Sequence, residues 1–285
     1  IINAYERQYP ALIPAPLFSG TMAECVERGK DAYAGGALYN NSSINAFGIA
    51  TVVDSLVALR KVVYEEKRMD IGRFREVLDS DWAGQEMLRL HIRNNYPKYG
   101  NGQPEADGFM TDLVDHVAAQ INGKPNGRHG VYRCGFFSID WRMVFGKHTG
   151  ATPDGRLSGE PLSKNMGAVT AQDKEGVTAL INSVTKVDYT EIPNGSVLDL
   201  VLHASAVQGR EGLAAMVALA RTYFRQGGFG LHINVLDPAV LKEAQADPAQ
   251  YANLQVRLCG WNVHFVDLSK EEQDDFIRQS EHAAG

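Results

Sequence analysis

The run Val256-Arg257-Leu258-Cys259-Gly260-Trp261-Asn262-Val263 places a single glycine between two short apolar stretches, with a helical pattern further on. The flanking stretches predict two strands. Glycine has no Cβ, so it reaches backbone conformations that are closed to other residues. It is also the only residue whose α-carbon radical can be flat and unhindered, with the unpaired spin shared by the amides on both sides. A bulge or tight bend in a strand is the alternative explanation, because isolated glycines often stand at such places.

Four further segments accompany this run in a fixed order. Residues 35–40 read GGALYN, residues 152–162 contain TPDGR and then GEPL, residues 178–188 read TALINSVTKVD, and residues 231–245 hold a strand and a helix pattern. Together with the run, they resemble the glycyl radical enzymes, the pyruvate formate-lyase-like family, over nearly the whole chain. In that family an arginine, an apolar residue and a small residue precede the radical glycine, and an aromatic residue follows it.

The fold implied by this resemblance is α/β, the C-terminal part of a ten-stranded α/β barrel of the glycyl radical enzyme type. In that barrel one central loop carries the radical glycine and another carries a catalytic cysteine. Residues 1–285 correspond to the C-terminal portion, and residues from about 150 to 285 resemble the glycine radical domain. We expect the upstream portion with the cysteine loop to be absent from this chain. Strands that alternate with helices favour the same fold class independently.

Gly260 is the candidate catalytic residue that follows from the resemblance. In the family the glycyl radical takes a hydrogen atom from the cysteine thiol, and the thiyl radical then takes one from the substrate. The resemblance gives Arg257, Cys259 and Trp261 a supporting role in the radical loop. His232 and Asn234, which lie close upstream of the loop, are candidates for lining the cavity.

The three cysteines of the chain differ in how well they fit the catalytic thiol. Cys259 is adjacent to Gly260, at a position that the family fills variably. Cys134 and Cys25 stand in no cysteine-loop context, and small buried hydrophobes are the better interpretation of both. The chain alone is therefore not expected to turn over substrate.

The cofactors and partners also follow from the resemblance. The glycyl radical is a post-translational modification that a separate radical S-adenosylmethionine activase installs, and both S-adenosylmethionine and the iron–sulfur cluster belong to that activase. We expect no metal in this chain, because its eight histidines and three cysteines show no ligand spacing. The expected partners are the activase, a small-molecule substrate and, by analogy with the family, a second copy in a homodimer.

Composition excludes several other classes of function. The net charge of -6 argues against a nucleic-acid-binding surface, which would be basic. No apolar run approaches the roughly 20 residues that a membrane helix needs, and no signal peptide is evident. The few cysteines indicate a reducing compartment, so we expect a cytoplasmic protein. The resemblance to the glycyl radical enzymes implies an anaerobic setting.

Local patterns predict where several helices begin. Apolar residues at helical spacing predict one long helix over residues 45–67, with Asn45 as its cap. Residues 97–107, rich in Gly, Pro and Asn, predict a loop that precedes a helix over residues 109–121. Asp154 and Arg156 in the TPDGR motif are interpreted as a structural turn, with a contact to an anionic substrate as the alternative.

Three signals mark helix starts near the C-terminus. Asp237-Pro238 and Asp247-Pro248 each combine a capping residue with proline at the first helical position. Ser269, followed three residues later by Glu272, is typical of a capping box.

Three hypotheses for function remain open on the sequence. The first is the radical-bearing portion of a lyase, a dehydratase or an enzyme that cleaves another C–C or C–heteroatom bond, such as a decarboxylase. A formate C-acetyltransferase proper, a transferase with two adjacent cysteines, is less favoured. The second is a separate subunit that supplies the glycine loop to a partner with the cysteine. The third is an inactive relative that keeps only the fold.

Overall fold

The computed structural model describes residues 1–138, 141–258 and 260–284. The strands are β1 (Ser42–Asn45), β2 (Tyr132–Gly135), β3 (Leu198–His203), β4 (Leu231–Leu236), β5 (Gln255–Leu258) and β6 (Trp261–His264). The α-helices are α1 (Ile2–Glu6), α2 (Tyr9–Leu12), α3 (Pro16–Ser19), α4 (Ala23–Arg28), α5 (Ile49–Leu59), α6 (Ile71–Asp79), α7 (Glu86–Asn95), α8 (Pro104–Ile121), α9 (Trp141–Lys147), α10 (Gly176–Val184), α11 (Gly209–Arg225), α12 (Pro238–Ala246) and α13 (Lys270–Ala284).

The first four strands run parallel, in the order β1-β2-β3-β4. β1 pairs with β2 and β3 pairs with β4, and a parallel bridge between Phe136 and Ser196 connects the two pairs. Parallel neighbours need long crossover connections, and helices supply them here: α5 to α8 before β2, and α11 before β4. The α/β class predicted from the sequence is confirmed.

The two faces of these strands differ in chemistry. Because side chains alternate along a strand, Cys134, Phe136, Leu198 and Leu200 share one face, and all four are buried in a large apolar core under the helices. The opposite face of β3 and β4 carries polar side chains, including Asp199 on β3 and its register partner His232 on β4. Parallel sheets are usually apolar on both faces, so this polar face marks a region of special function.

A second, smaller core lies in the last fifty residues. Its buried apolar residues come from the end of β4, from α12, from the β5–β6 hairpin and from α13. They are Leu236, Leu241, Ala244, Val256, Leu258, Phe265, Phe276 and Ile277. We call residues 236–284 the C-terminal unit and residues 1–235 the body.

The predicted helix over residues 45–67 is wrong at its start. Asn45 ends strand β1, where it pairs with Gly135, so it does not cap a helix. The helix begins at Ile49, after Gly48 in a left-handed conformation (φ +73°), and its last part, Arg60–Glu65, is a π-helix.

The predicted loop over residues 97–107 is also wrong in its second half, because α8 already begins at Pro104. Proline fits the first turn of a helix, where its missing N–H would have no partner in any case. Here the proline signals a helix start and not a loop.

Of the three predicted helix starts near the C-terminus, two are confirmed. The backbone N–H of Ala239 donates to Asp237 Oδ1 (2.8 Å) at the start of α12. Ser269 and Glu272 exchange hydrogen bonds before α13, as a capping box does. The start predicted at Asp247-Pro248 is wrong: Asp247 ends α12, and a turn follows in which Tyr251 N–H donates to the carbonyl of Pro248.

Within the described residues, the helices are all too short or too polar to cross a bilayer.

Candidate functional site

Gly260 lies at the tip of the hairpin formed by β5 and β6. Leu258 and Trp261 are register partners, so only two residues separate the paired strands. The φ angle of Gly260 is +101°, in the region that favours glycine over residues with a Cβ. Gly260 is exposed in this chain. The sequence predicted both strands, and the glycine forms their turn instead of a bulge within one strand.

Asn234 ties this hairpin to the body through both ends of its amide. Its Nδ2 donates to the carbonyl oxygen of Arg257 (3.0 Å), and its Oδ1 accepts from the backbone N–H of Arg257 (2.8 Å). An amide side chain offers one donor and one acceptor side by side, so it replaces a neighbouring strand at this position. Asn234 is buried, at 5% exposure, and the hairpin is held three residues before Gly260.

The side chain of His232 lies close to Gly260. If Gly260 carried a Cβ, that atom would lie 4.0 Å from His232 Cε1. His232 Nδ1 is 3.3 Å from Asp199 Oδ1, and the two residues are register partners on the parallel strands β4 and β3. The ring therefore lies between Asp199 and Gly260.

Two residues besides His232 hold the Asp199 carboxylate in place. Lys164 Nζ lies 3.1 Å from Asp199 Oδ1, and Asn165 Nδ2 donates to Asp199 Oδ2. Burial of Asp199 acts to raise the pKa of its carboxyl. The positive charge of Lys164 and the hydrogen bonds from His232 and Asn165 outweigh that effect, so the pKa lies well below its usual range and the carboxylate is ionised.

The other predicted supports of the loop contribute in different ways. The Arg257 guanidinium donates from Nη1 to Asn262 Oδ1 across the hairpin (3.3 Å). Trp261 acts through its backbone pairing with Leu258, because its side chain is 56% exposed. Cys259 lies outside the described residues.

Sequence reasoning missed Lys164, Asn165 and Asp199. Asp199 did carry a usable signal, because a carboxylate inside the apolar run Val197 to Leu202 is rarely buried without a partner. The strand register that places it beside His232 could not be read from the sequence.

Two further expectations concern residues away from the loop. Cys25 and Cys134 are buried, as predicted, and burial raises the pKa of the Cys134 thiol to about 11. Arg156 is buried and donates to the backbone carbonyls of Thr149, Gly150, Leu157 and Glu160. It therefore organises the TPDGR segment, which confirms the structural interpretation.

In the part of the chain that the structure describes, no group of three or more His, Cys, Asp or Glu side chains is placed to hold a metal ion.

Comparison with known families identifies the class of this fold and site. Residues 1–146 match the family model described as "Pyruvate formate lyase-like", and residues 162–266, which include Gly260, match the model described as "Glycine radical". The chain belongs to the pyruvate formate lyase-like family of glycyl radical enzymes.

The relatives of this chain include both dehydratases and decarboxylases. The chain is 36% identical over 269 residues to trans-4-hydroxy-L-proline dehydratase of Clostridioides difficile, covering 94% of this chain and 34% of the relative. It is 32% identical to (2S)-3-sulfopropanediol dehydratase of Klebsiella oxytoca, covering 98% of this chain and 34% of the relative. The glycerol-bound B12-independent glycerol dehydratase from Clostridium butyricum superposes with a TM-score of 0.93 at 34% identity, over 97% of this chain and 35% of that one. The chain thus spans about a third of the length of these relatives.

Proposed function

We propose that this chain is the radical-bearing C-terminal portion of a glycyl radical lyase, in which Gly260 stores the radical. The observation that carries the proposal is the placement of Gly260 at a hairpin tip with φ +101°, inside the segment that matches the glycine radical model. In this proposal residues from about 150 to 285 are the glycine radical domain. The radical passes to a cysteine outside these 285 residues.

The described residues serve this function by holding the glycine. Once installed, a glycyl radical is a stable store of one unpaired electron. It oxidises a thiol by taking the hydrogen atom of that thiol. Asn234 fixes the backbone of Arg257, and the β-ladder carries that constraint to the tip of the hairpin. His232 Cε1 lies 4.0 Å from the position that a Cβ of Gly260 would take, so the ring borders one side of this residue.

The reaction proposed for the intact enzyme is dehydration of a small hydroxylated compound. Its support is the similarity to dehydratases that act on hydroxyproline, sulfopropanediol and glycerol. Fold likeness alone does not select a substrate, because one scaffold carries many reactions. Decarboxylation is the competing reaction, and product analysis of the activated enzyme distinguishes the two.

The proposed partner is a radical S-adenosylmethionine activase, which brings its own iron–sulfur cluster. Activation requires access to Gly260, which lies at the tip of the β5–β6 hairpin. In the assembled enzyme the store has to be shielded from oxygen and water, so the C-terminal unit is proposed to swing between an accessible and a shielded position. A homodimer and a cytoplasmic, anaerobic setting belong to the same proposal.

The experiment that tests the proposal is electron paramagnetic resonance of the intact enzyme after anaerobic incubation with activase and S-adenosylmethionine. Gly260→Ala removes the store. Gly227→Ala is a matched control, because Gly227 also has a positive φ (+94°) and its Cβ position is open.

The expected result is a doublet signal in the parent and in the Gly227→Ala variant, with no signal in the Gly260→Ala variant. A parent without any signal would make the chain an inactive relative. A signal that appears only when a separate cysteine-bearing chain is added would favour the subunit hypothesis over a single-chain lyase.

A further inference from the structure

The ring of His232 occupies the space next to the atom that stores the radical. We propose that His232 is a positioning residue that walls off one side of the Gly260 α-carbon, and that Asp199 holds the ring in place. This inference rests on the proposed function of Gly260 and adds to it what determines the lifetime of the radical.

The contact between His232 and Gly260 involves one of the two α-hydrogens of the glycine. Of its two α-hydrogens, one occupies the direction in which an L-residue carries its Cβ, and a Cβ placed there would lie 4.0 Å from His232 Cε1. This distance is at the outer edge of ordinary van der Waals contact between carbon atoms, so the ring borders the side of the α-carbon on which that hydrogen lies. Among the described residues beyond its chain neighbours, only His232 comes that near to the Cβ position.

The chemistry of the ring suits this place. A radical on the glycine α-carbon is lost when it takes a hydrogen atom from a neighbouring weak C–H or S–H bond. Aromatic C–H bonds are stronger than the α-C–H bond that glycine would regain, so transfer from His232 Cε1–H to Gly260 is uphill. A Leu or Met side chain at this position would offer weaker C–H bonds to the radical.

The orientation of the ring is set by hydrogen bonding. Asp199 is ionised and accepts only, so the nitrogen facing it, Nδ1, is the donor in the 3.3 Å contact. A histidine fixed at one nitrogen cannot rotate about its χ2 angle without losing that bond. Lys164 and Asn165 restrict rotation of the carboxylate, since Lys164 contacts the same oxygen as His232, Oδ1, and Asn165 donates to the other oxygen, Oδ2.

The test is the decay of the electron paramagnetic resonance signal in the activated intact enzyme, kept anaerobic and without substrate. His232→Ala removes the wall, and we expect the half-life of the signal to shorten by about tenfold, the factor that corresponds to 1.4 kcal/mol of barrier. Asp199→Asn keeps the ring but weakens its orientation, and we expect a smaller loss of about threefold.

Two further variants make the result specific. His232→Phe restores an aromatic wall without the Asp199 hydrogen bond, so it should recover most of the half-life that His232→Ala loses. His203→Ala, on the neighbouring strand β3, is the control and should decay like the parent. Because His232→Phe also keeps the bulk of the side chain, rescue by it separates loss of the wall from loss of folding.

The outcomes are distinguishable. A parental half-life in His232→Ala, with a normal radical yield, would overturn the inference and leave Gly260 as the store. A short half-life in both His232→Ala and His232→Phe would overturn the proposal that the ring shields Gly260. The ring would then act only through its hydrogen bond to Asp199. A parent with no radical at all would remove the inference together with the proposed function.

Discussion

The body and the C-terminal unit differ in what holds them. The body packs its helices on one face of the parallel strands around a large, fully buried apolar core. The C-terminal unit has a core of eight buried apolar residues, on which Val201 of the body also packs, and polar contacts add to its attachment. These polar contacts include the Asn234 amide on Arg257, an ion pair between Arg142 and Asp275, a contact between Asp173 and His282, and the exposed pair of Lys147 with Glu271.

This difference separates stability from placement. Apolar burial is strong but has no direction, so it maintains the body without fixing a particular atom. Hydrogen bonds and buried ion pairs define distances and angles, and they are weak evidence for net stability. The residues that place Gly260 therefore need not be those that keep the chain folded.

The largest expected effect comes from the core of the body. Phe136 is fully buried, and its backbone joins β2 to β3. Phe136→Ala should lower the free energy of unfolding by about 3–5 kcal/mol, because it removes buried apolar surface and leaves a cavity. Urea denaturation followed by circular dichroism measures this, with Phe18→Ala as the control because Phe18 is half exposed. Equal losses in both variants would contradict the role given to the core.

A smaller and local effect is expected at the ion pair between Arg142 on α9 and Asp275 on α13. Both side chains are buried, and the charge of Arg142 lowers the pKa of Asp275 against the opposing effect of burial. Asp275→Asn removes the negative charge of this buried pair, which should weaken docking of α13 by about 3 kcal/mol.

Hydrogen–deuterium exchange measures this change element by element. Faster exchange in α13 with unchanged protection in α5 and α8 is expected. Lys242→Gln is the control, because it breaks the exposed pair of Lys242 with Glu281 (2.5 Å) and should change little. Equal loss of protection in the body would mean that the two regions unfold together, against the distinction drawn here.

The same difference explains how far the sequence could predict the molecule. The motif order gave the family, and periodicity gave most helices and the two strands around Gly260, because these signals are local. Asn45 was assigned to a helix because pairing with Gly135, ninety residues away, is invisible in a local window. Pro104 was assigned to a loop because composition does not distinguish a turn proline from one that begins a helix.

The candidate site was predicted less completely than the fold. The sequence indicates Gly260 as the candidate catalytic residue, and His232 and Asn234 only as candidates for lining the cavity. The hydrogen bonds of the Asn234 amide to the backbone of Arg257 were not foreseen. Asp199 and Lys164 were missed because strand register and the path of an irregular segment bring them together, and neither leaves a spacing pattern.

The smallest expected effect is a pH dependence at the end of α13. His282 Nε2 lies 3.0 Å from Asp173 Oδ1, and its hydrogen bond to this carboxylate raises the pKa of His282 above its usual 6.5. A raised pKa means that the folded state favours the protonated ring, so the contact contributes fully below about pH 6.5 and is lost as pH rises through the higher folded value. The pair is partly exposed, so the contribution should stay below about 1 kcal/mol.

An NMR titration of the His282 ring should give a midpoint above 6.5 in the parent and one near 6.5 in Asp173→Asn. If the two midpoints coincide, the contact does not attach α13 to the body, and the polar attachment of the C-terminal unit rests on the other pairs, chiefly those of Asn234 and Arg142.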